Sequence, residues 1–487
     1  MSKKHKIVLA HGSFDLFHYG HLKHLQSAKK FGDKLIVSLT SDKYIKKGPN
    51  RPIFKEKERL EIIKSLKFVD HAFISSELTA LSSIKKVKPD YYVKGNDYKS
   101  LKNDLSKNII KEKKEVEKYN GKLVFTNEKT FSSSNLINNN FNIFNKNFLK
   151  EIKNIDISKT LSKINLKEKS TNNLKIAIVG DTIIDIYKFV SALNKSNKEN
   201  IISYNYETEN IFLGGSLAAA NTLSSFVKKI DLITAVGSDS KIQKILKKKM
   251  QKNINIINFS QPNYEPIIKS RFIEKNTMIK NYQLYNMNSN QNMDRINKKL
   301  NTFLRKNVKK YDLVIVTDFG HGLINNQTAR LLEKKSKYLT VNCQSNSANQ
   351  GFNLISKYKK FNYGSIDLYE AKLATQKINL NPSKFMSIMK SKTKFDTFSI
   401  TLGKYGCTVF NKEKYFKLSA PSSNAVDAMG AGDVFFVVTS LFSFLSFDIK
   451  ELALLGNCAA SIKINHIGHD YIIKKEEILK YLEIVNK

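Results

Sequence analysis

Gly12-Ser13-Phe14-Asp15-Leu16-Phe17-His18-Tyr19-Gly20-His21 stands directly behind a short apolar run, Lys6-Ile7-Val8-Leu9-Ala10. A buried strand, a loop carrying glycine and histidine, and then a helix over about residues 20–31 make the opening of a parallel α/β sheet. Outward from it, Lys34 to Thr40 reads as a second strand. Lys55 to Leu66 reads as a helix with Leu60, Ile62, Ile63 and Leu66 on its apolar face. Ala72-Phe73-Ile74, Tyr91-Tyr92-Val93 and Lys122-Leu123-Val124-Phe125 continue the alternation. It predicts an α/β domain of Rossmann type over residues 1–140.

Residues 141–173 are rich in Asn, Lys and Ser and lack glycine, which reads as a linker with some helix. A new buried strand begins at Lys175-Ile176-Ala177-Ile178-Val179, and α/β alternation then runs over residues 174–487. Lys310–Asp318 and Thr397–Leu402 are expected strands there, and 430–445 and 450–465 apolar helices. Just before the first of these lies a second short signature, Asp427-Ala428-Met429-Gly430-Ala431-Gly432-Asp433. No short-period repeat is present.

Composition narrows the function classes. A chain of 487 residues with 41% hydrophobic and 26% charged residues supports two or three domains with sizeable cores. No run of 18 apolar residues appears, so no membrane span is expected, and the first residues carry too short an apolar stretch for a signal peptide. Cys343, Cys407 and Cys458 are widely spaced and odd in number, which fits a reducing cytoplasm and no metal cluster. The net charge of +39 is spread along the whole chain rather than clustered with aromatics. That pattern speaks against a nucleic-acid partner and for a surface that attracts anionic substrates.

His18 and His21, three apart at a helix start, lie on one face near the positive end of the helix dipole. Imidazole donors placed there can hold an α-phosphate and stabilise the charge that develops as pyrophosphate leaves. H-x-x-H by itself also fits a metal pair or surface histidines. Gly430-Ala431-Gly432 before a buried helix offers backbone N–H groups to a transferring phosphoryl group, and Asp433 there is placed to take a proton from an attacking hydroxyl. Glycines in this position serve equally as a helix-packing turn.

The surroundings separate these readings. With Arg51-Pro52, Glu58-Arg59, Val93-Lys94-Gly95-Asn96-Asp97-Tyr98 and Ser132-Ser133-Ser134-Asn135, the N-terminal region resembles the nucleotidyltransferase superfamily of cytidylyl- and adenylyltransferases. The resemblance implies catalysis by His18 and His21. It places Gly12, Phe14, Lys46 (or Lys47), Arg59, Gly95, Asp97, Ser132, Ser133 and Ser134 around the nucleotide and Asp15 in the substrate pocket. The V-K-G-x-D-Y stretch is closer to the adenylyltransferase branch, with ATP, or CTP, and Mg2+ as the expected cofactors.

Residues 174–480 resemble the PfkB/ribokinase carbohydrate kinases through Val179-Gly180-Asp181, Asp185, Gly214-Gly215, Val236-Gly237-Ser238-Asp239, Thr317-Asp318-Phe319-Gly320-His321-Gly322 and Thr401-Leu402-Gly403-Lys404-Tyr405-Gly406. This resemblance implies that Asp433 is the base, Gly430, Ala431 and Gly432 the anion hole, and Asp181, Asp185, Gly214 and Gly215 the sugar pocket. Thr401, Gly403, Gly406 and Asn457 would border the nucleotide, and Glu370 would lie at the metal. Three positions depart from the family pattern: Ala218 in place of a pocket Asn (Asn221 follows three later), Asp367-Leu368-Tyr369-Glu370 for N-x-x-E, and Asn342-Cys343-Gln344 for Asp-Pro-Lys.

The two halves together resemble the bifunctional heptose kinases/adenylyltransferases, with the domain order reversed. The expected function is ATP-dependent phosphorylation of a sugar or sugar phosphate, coupled to nucleotidyl transfer onto a sugar phosphate. A nucleotidyltransferase carrying a non-catalytic, sugar-binding kinase-like domain is the alternative. Implied partners are the sugar phosphate, the nucleoside triphosphate, a pathway phosphatase and, as a homo-oligomer, further copies of the chain.

Overall fold

The computed structural model describes residues 5–45, 52–77, 79–95, 108–126, 144–261, 264–287, 293–422 and 425–486. The chain divides into two compact units: Met1–Lys146 with Asp156–Asn165 and Glu476–Lys487, and Asn147–Ile155 with Leu166–Lys475.

The first unit is built on five strands, β1 (Ile7–Gly12), β2 (Lys34–Thr40), β3 (His71–Ser75), β4 (Tyr91–Lys94) and β5 (Lys122–Phe125). They pair in the order β3-β2-β1-β4-β5, every pair parallel. Central β1 is apolar on both faces because helices cover both. Val8 and Ala10 pack with Leu25, Leu35, Val37 and Ile63 on one side, while Leu9 packs with Ile84, Tyr92 and Val116 on the other. The strand order reverses between β1 and β4, so the loops after these two strands flank the crevice where such sheets take ligands. The His-bearing loop follows β1, and Gly95 follows β4.

The second unit carries a nine-stranded sheet of β6 (Ile176–Gly180), β9 (Ile230–Thr234), β10 (Ile254–Asn258), β13 (Leu313–Asp318), β14 (Leu339–Cys343), β15 (Tyr363–Asp367), β16 (Thr397–Thr401), β17 (Cys407–Asn411) and β18 (Tyr415–Leu418). Its order is β10-β9-β6-β13-β14-β15-β16-β17-β18, parallel up to β16 and antiparallel beyond. The switch point here lies between β6 and β13. A separate four-stranded sheet, β12-β11-β7-β8, joins β7 (Thr182–Lys195), β8 (Ile202–Gly214), β11 (Ile267–Glu274) and β12 (Lys280–Asn286). Much of β8 and β12 is exposed, whereas β11 alternates between buried and half-buried positions.

Two local expectations shift. The stretch from Lys310 to Asp318 becomes a strand only from Leu313, because Val308–Lys310 closes a 3-10 turn first. The described part of the expected linker is largely helical, over Lys146–Glu151 and Ile157–Thr171.

Candidate active sites

In the first unit, His18 caps the Tyr19–Lys29 helix: its Nδ1 accepts from the backbone N–H of Gly20 (3.1 Å) and His21 (3.4 Å). With Nδ1 occupied as an acceptor, the neutral ring carries its proton on Nε2 and offers it as a donor. Burial lowers the His18 pKa, which favours that neutral form. The His21 ring stacks on His18 at 3.9 Å between centroids, and the Phe14 ring meets His21 edge-on at 5.4 Å. The loop that brings them together is tight, with Phe14 and Leu16 both in the left-handed backbone region at φ 48° and 51°. Gly12 lies under it, next to the Phe14 ring.

Two charged residues that hold this loop, Asp15 within it and Arg59 on the Glu56–Lys64 helix, are spoken for by the protein itself. Asp15 is buried and accepts from the N–H groups of Ile53 (2.9 Å) and Phe54 (3.2 Å). Arg59 is 1% exposed, so it is not on a solvated helix face. Its guanidinium donates to the carbonyls of Ser13, Thr40 (2.9 Å) and Phe54 (3.0 Å) and to Asp42 (2.7 Å). It clasps the loop after β1 to the end of β2. Gly95 follows Lys94, whose carbonyl accepts from Thr126 N–H, and Thr126 Oγ1 lies 2.9 Å from His24 Nδ1. Lys46, Lys47, Asp97, Ser132, Ser133 and Ser134 lie outside the described residues.

The second unit gathers its site at the β6/β13 switch point and at the start of the Ala431–Phe444 helix. Asp181 bridges the switch: it accepts from Phe319 N–H (3.0 Å) and Leu323 N–H (3.4 Å). Burial, reinforced by Asp318, pushes it up to about 6 against these hydrogen bonds. Asp185, on β7, forms a buried ion pair with Arg271 on β11. Gly214 approaches that carboxylate so closely that a Cβ at 214 would collide with Asp185 Oδ2. Gly215 then opens the Gly215–Ser224 helix.

Gly430 is the residue before the Ala431–Phe444 helix, at φ 77°, and a Cβ there would fall onto the His469 ring. Only glycine meets both demands. The space in front of Gly432 is open, and Ala431 and Gly432 are accessible at the helix start. Asp433 is half-buried on the first turn. Burial pushes its carboxyl up to about 6, with Lys269 pulling down and Asp185 pushing up. Lys269 is itself 5% exposed, and burial lowers its pKa while Asp185, Asp433 and Asp181 oppose the shift. Asp427 receives Lys280 (2.7 Å), Tyr187 (2.9 Å), Gly468 (2.9 Å) and Met429 (3.1 Å). Burial would raise it, but Lys280 and the backbone donors win and hold it at about 2. Burial takes Lys463 down to about 8 and His469 to about 4.

The expected nucleotide border is present as a turn. Thr401 ends β16, and Gly403–Tyr405 forms a 3-10 turn closed by Gly406. Asn457 is buried and donates to the carbonyls of Leu418 (3.2 Å) and Ser419 (3.1 Å), so it ties its helix to the end of β18. Of the departures, Asp367 and Glu370 form a capping box on the Leu368–Thr375 helix, and Glu370 Oε1 also accepts from Ser345 N–H at 2.9 Å. Asn342 donates to the Ser365 carbonyl at 2.8 Å, and Asn221 to the Lys249 carbonyl at 3.0 Å. Among the described residues no three His, Cys, Asp or Glu side chains converge on a metal position. Lys269, Arg271, Lys280, Lys463 and His469 carry no short motif; tertiary placement alone brings them to the site.

Both folds now have counterparts. The first unit is a cytidylyltransferase-like nucleotidyltransferase fold and the second a ribokinase-like fold. The cytidylyltransferase-like family model matches residues 9–140 and the pfkB carbohydrate kinase family model residues 173–475. The chain belongs to the pfkB family of carbohydrate kinases, with a cytidylyltransferase-like region ahead of the kinase region.

Among curated proteins, the bifunctional protein HldE of Campylobacter fetus subsp. fetus is 40% identical over 134 residues, 27% of this chain and 27% of that protein. The bifunctional protein HldE of Helicobacter pylori is 47% identical over 107 residues, 22% of each. These matches fall on the N-terminal region and span about a quarter of the relatives' length. Among solved structures, Escherichia coli phosphofructokinase-2 in complex with fructose-6-phosphate aligns over 64% of this chain and 100% of its own, at 12% identity and TM-score 0.53. Thermotoga maritima ribokinase aligns over 63% and 99%, at 18% identity and TM-score 0.51. These likenesses establish the fold of the second unit.

Proposed function

We propose that this chain activates a heptose-like sugar in two steps: ATP-dependent phosphorylation of the sugar or sugar phosphate at Asp433, and nucleotidyl transfer from ATP or CTP to a sugar phosphate at His18 and His21. The observation that carries the reading is common to both units. Each presents its candidate catalytic side chains at a helix start beside the switch point of a parallel sheet, where N–H groups and helix dipole favour an anion.

In the kinase step, the half-buried Asp433 carboxylate takes the proton of the sugar hydroxyl as its oxygen attacks the terminal phosphorus of ATP, and ADP leaves. The helix start at Gly430–Gly432, open in front of Gly432 although the Ala431 N–H is bonded to the Ala428 carbonyl (3.2 Å), cradles the transferring phosphoryl group. In the transfer step, a phosphate oxygen of the sugar phosphate attacks the α-phosphorus, the bond to the β-phosphate oxygen breaks, and pyrophosphate departs. His18 and His21 donate to the charge that develops, and the protein forms no covalent bond. Magnesium bound with the nucleotide would neutralise phosphate charge. Glu370 is the residue that would hold that magnesium; burial and its neighbours Asp367 and Asp433 raise its pKa, and a cation beside it would favour the ionised form. A pathway phosphatase acting between the steps, self-association and a cytoplasmic setting belong to the same proposal. Among the described residues no helix is long and apolar enough to cross a membrane.

The backbone N–H groups that occupy both Glu370 oxygens, Asp367 in the capping box and Ser345 beside it, favour a second reading, in which the kinase-like unit binds sugar without turning over. One screen tests both: the full chain with sugars and sugar phosphates against each nucleoside triphosphate, with phosphorylated sugar and pyrophosphate measured separately. Both products are expected. Pyrophosphate without sugar-dependent ADP would favour the second reading, and neither product from any pair would overturn the proposal.

A further inference from the structure

Two described stretches lie outside both family matches: the helical segment between 144 and 172, and the C-terminal helix Lys475–Val485 beyond its first residue. Parts of both, Asp156–Asn165 and Glu476–Lys487, belong to the first unit, not to the kinase unit that the chain has just completed. The C-terminal helix buries a broad apolar face, Ile478, Leu479, Tyr481, Leu482, Ile484 and Val485, and Glu477 is buried with it. A helix buried in this way is a core element rather than a surface addition. Tyr481 meets the buried Phe144 ring edge-on at 6.0 Å, and Asn486 donates to Ser158 Oγ at 3.1 Å.

The same helix reaches the corner beside Gly95. Glu112 there accepts from Tyr92 OH (3.0 Å) and Ala80 N–H (3.1 Å), and the Lys94 ammonium stands 3.4 Å from it. Lys480, half-buried, lies within electrostatic reach of Lys94 and Glu112 at this corner, with Glu477 and Glu483 of its own helix as its other charged neighbours. Lys94 is the last residue of β4, at the carboxyl edge of the sheet, so whatever shares Glu112 with it sets how firmly it is held at the crevice.

We propose that the C-terminal helix is a working part of the nucleotidyltransferase unit, with Lys480 a positioning residue for Lys94, so that transfer at the N-terminal site depends on residues 476–486. This rests on the reading of that site given above. The test uses the full chain with Tyr481→Ala, Lys480→Met and Lys480→Arg. Backbone hydrogen exchange over residues 5–126 and 174–475 reads the structural dependence whether or not the substrate is known.

Tyr481→Ala is expected to speed exchange in 5–126 alone and to cut pyrophosphate release by about tenfold or more, sparing sugar-dependent ATP consumption. Lys480→Met is expected to raise the KM for the nucleoside triphosphate about threefold at unchanged kcat, and Lys480→Arg to restore it. Unchanged exchange in 5–126, or faster exchange confined to 174–475, would overturn the inference. So would equal loss of both activities or an unmoved KM in Lys480→Met. A wild-type chain that releases no pyrophosphate would instead count against the reading of the site, and the exchange result would still decide the role of the helix.

Discussion

The two candidate sites use the same architectural position and opposite chemistry. In the first unit the helix start is capped by a side chain, His18, and the reacting groups are stacked imidazoles. In the second the helix start is left bare by Gly430, and the reacting group is a carboxylate among buried cations. The difference follows from what each reaction lacks. A phosphate nucleophile is already anionic and needs donors for the leaving group, whereas a sugar hydroxyl must lose a proton. A bare helix start with a nearby base suits the second and a capped one with imidazole donors the first.

The sharpest way to break this contrast is Asp433→Asn. It should lower sugar-dependent ATP turnover by roughly 10²–10⁴-fold and leave pyrophosphate release alone, as followed by separate product assays. Loss of both activities with the fold intact would mean the two units do not work independently. His18→Ala should do the reverse, cutting pyrophosphate release by about 10²-fold or more, the scale seen when one donor to a developing charge is removed.

A pH series separates the sites without mutation. Asp433 is raised to about 6 and must be ionised to act, so kinase turnover should fall about tenfold per unit as pH drops below that value. Burial lowers the His18 pKa, so its ring stays neutral to more acid pH than an ordinary histidine, and transfer should follow a pH profile of its own. Parallel decline of both would remove the assigned difference. For stability the sign is the other way: a raised carboxyl pKa favours folding at low pH, and that contribution from Asp181 and Asp433 is lost as pH rises through about 6.

The smallest effects sharpen the comparison in stability terms. Arg59→Met strips Ser13, Thr40, Phe54 and Asp42 of their shared donor and should cost the first unit about 3 kcal/mol, visible as an earlier melting transition. Asp367→Ala removes one helix cap and should cost the second unit about 1 kcal/mol.

Much of both sheets was readable along the chain. A strand buried on both faces must be a continuous apolar run, and Ile7–Gly12, Lys34–Thr40 and Ile176–Gly180 are such runs. The four-stranded sheet escaped notice because β8 and β12 are exposed, polar and rich in Asn and Tyr, with no apolar face to mark them. The roles of Arg59 and Asn457 were equally hidden. A lone arginine in Glu56–Lys64 has the spacing of a surface residue, and only the three-dimensional path of the Ser13, Thr40 and Phe54 carbonyls makes it a buried clasp.

What the residues alone determine are the properties that depend on near neighbours. These are the helix start with its two imidazoles, the glycine before Asp433 and the alternation of strand and helix, all set by local sterics and burial period. What the tertiary structure decides is the electrostatic company each group keeps. Lys269 and Arg271 come to Asp433 and Asp185 on a strand more than 80 residues away in sequence from Asp185. The helix at 475–485 joins a unit that begins at the other end of the chain. A charge responds to whatever lies within a few ångströms through low dielectric, and linear order carries no record of that distance.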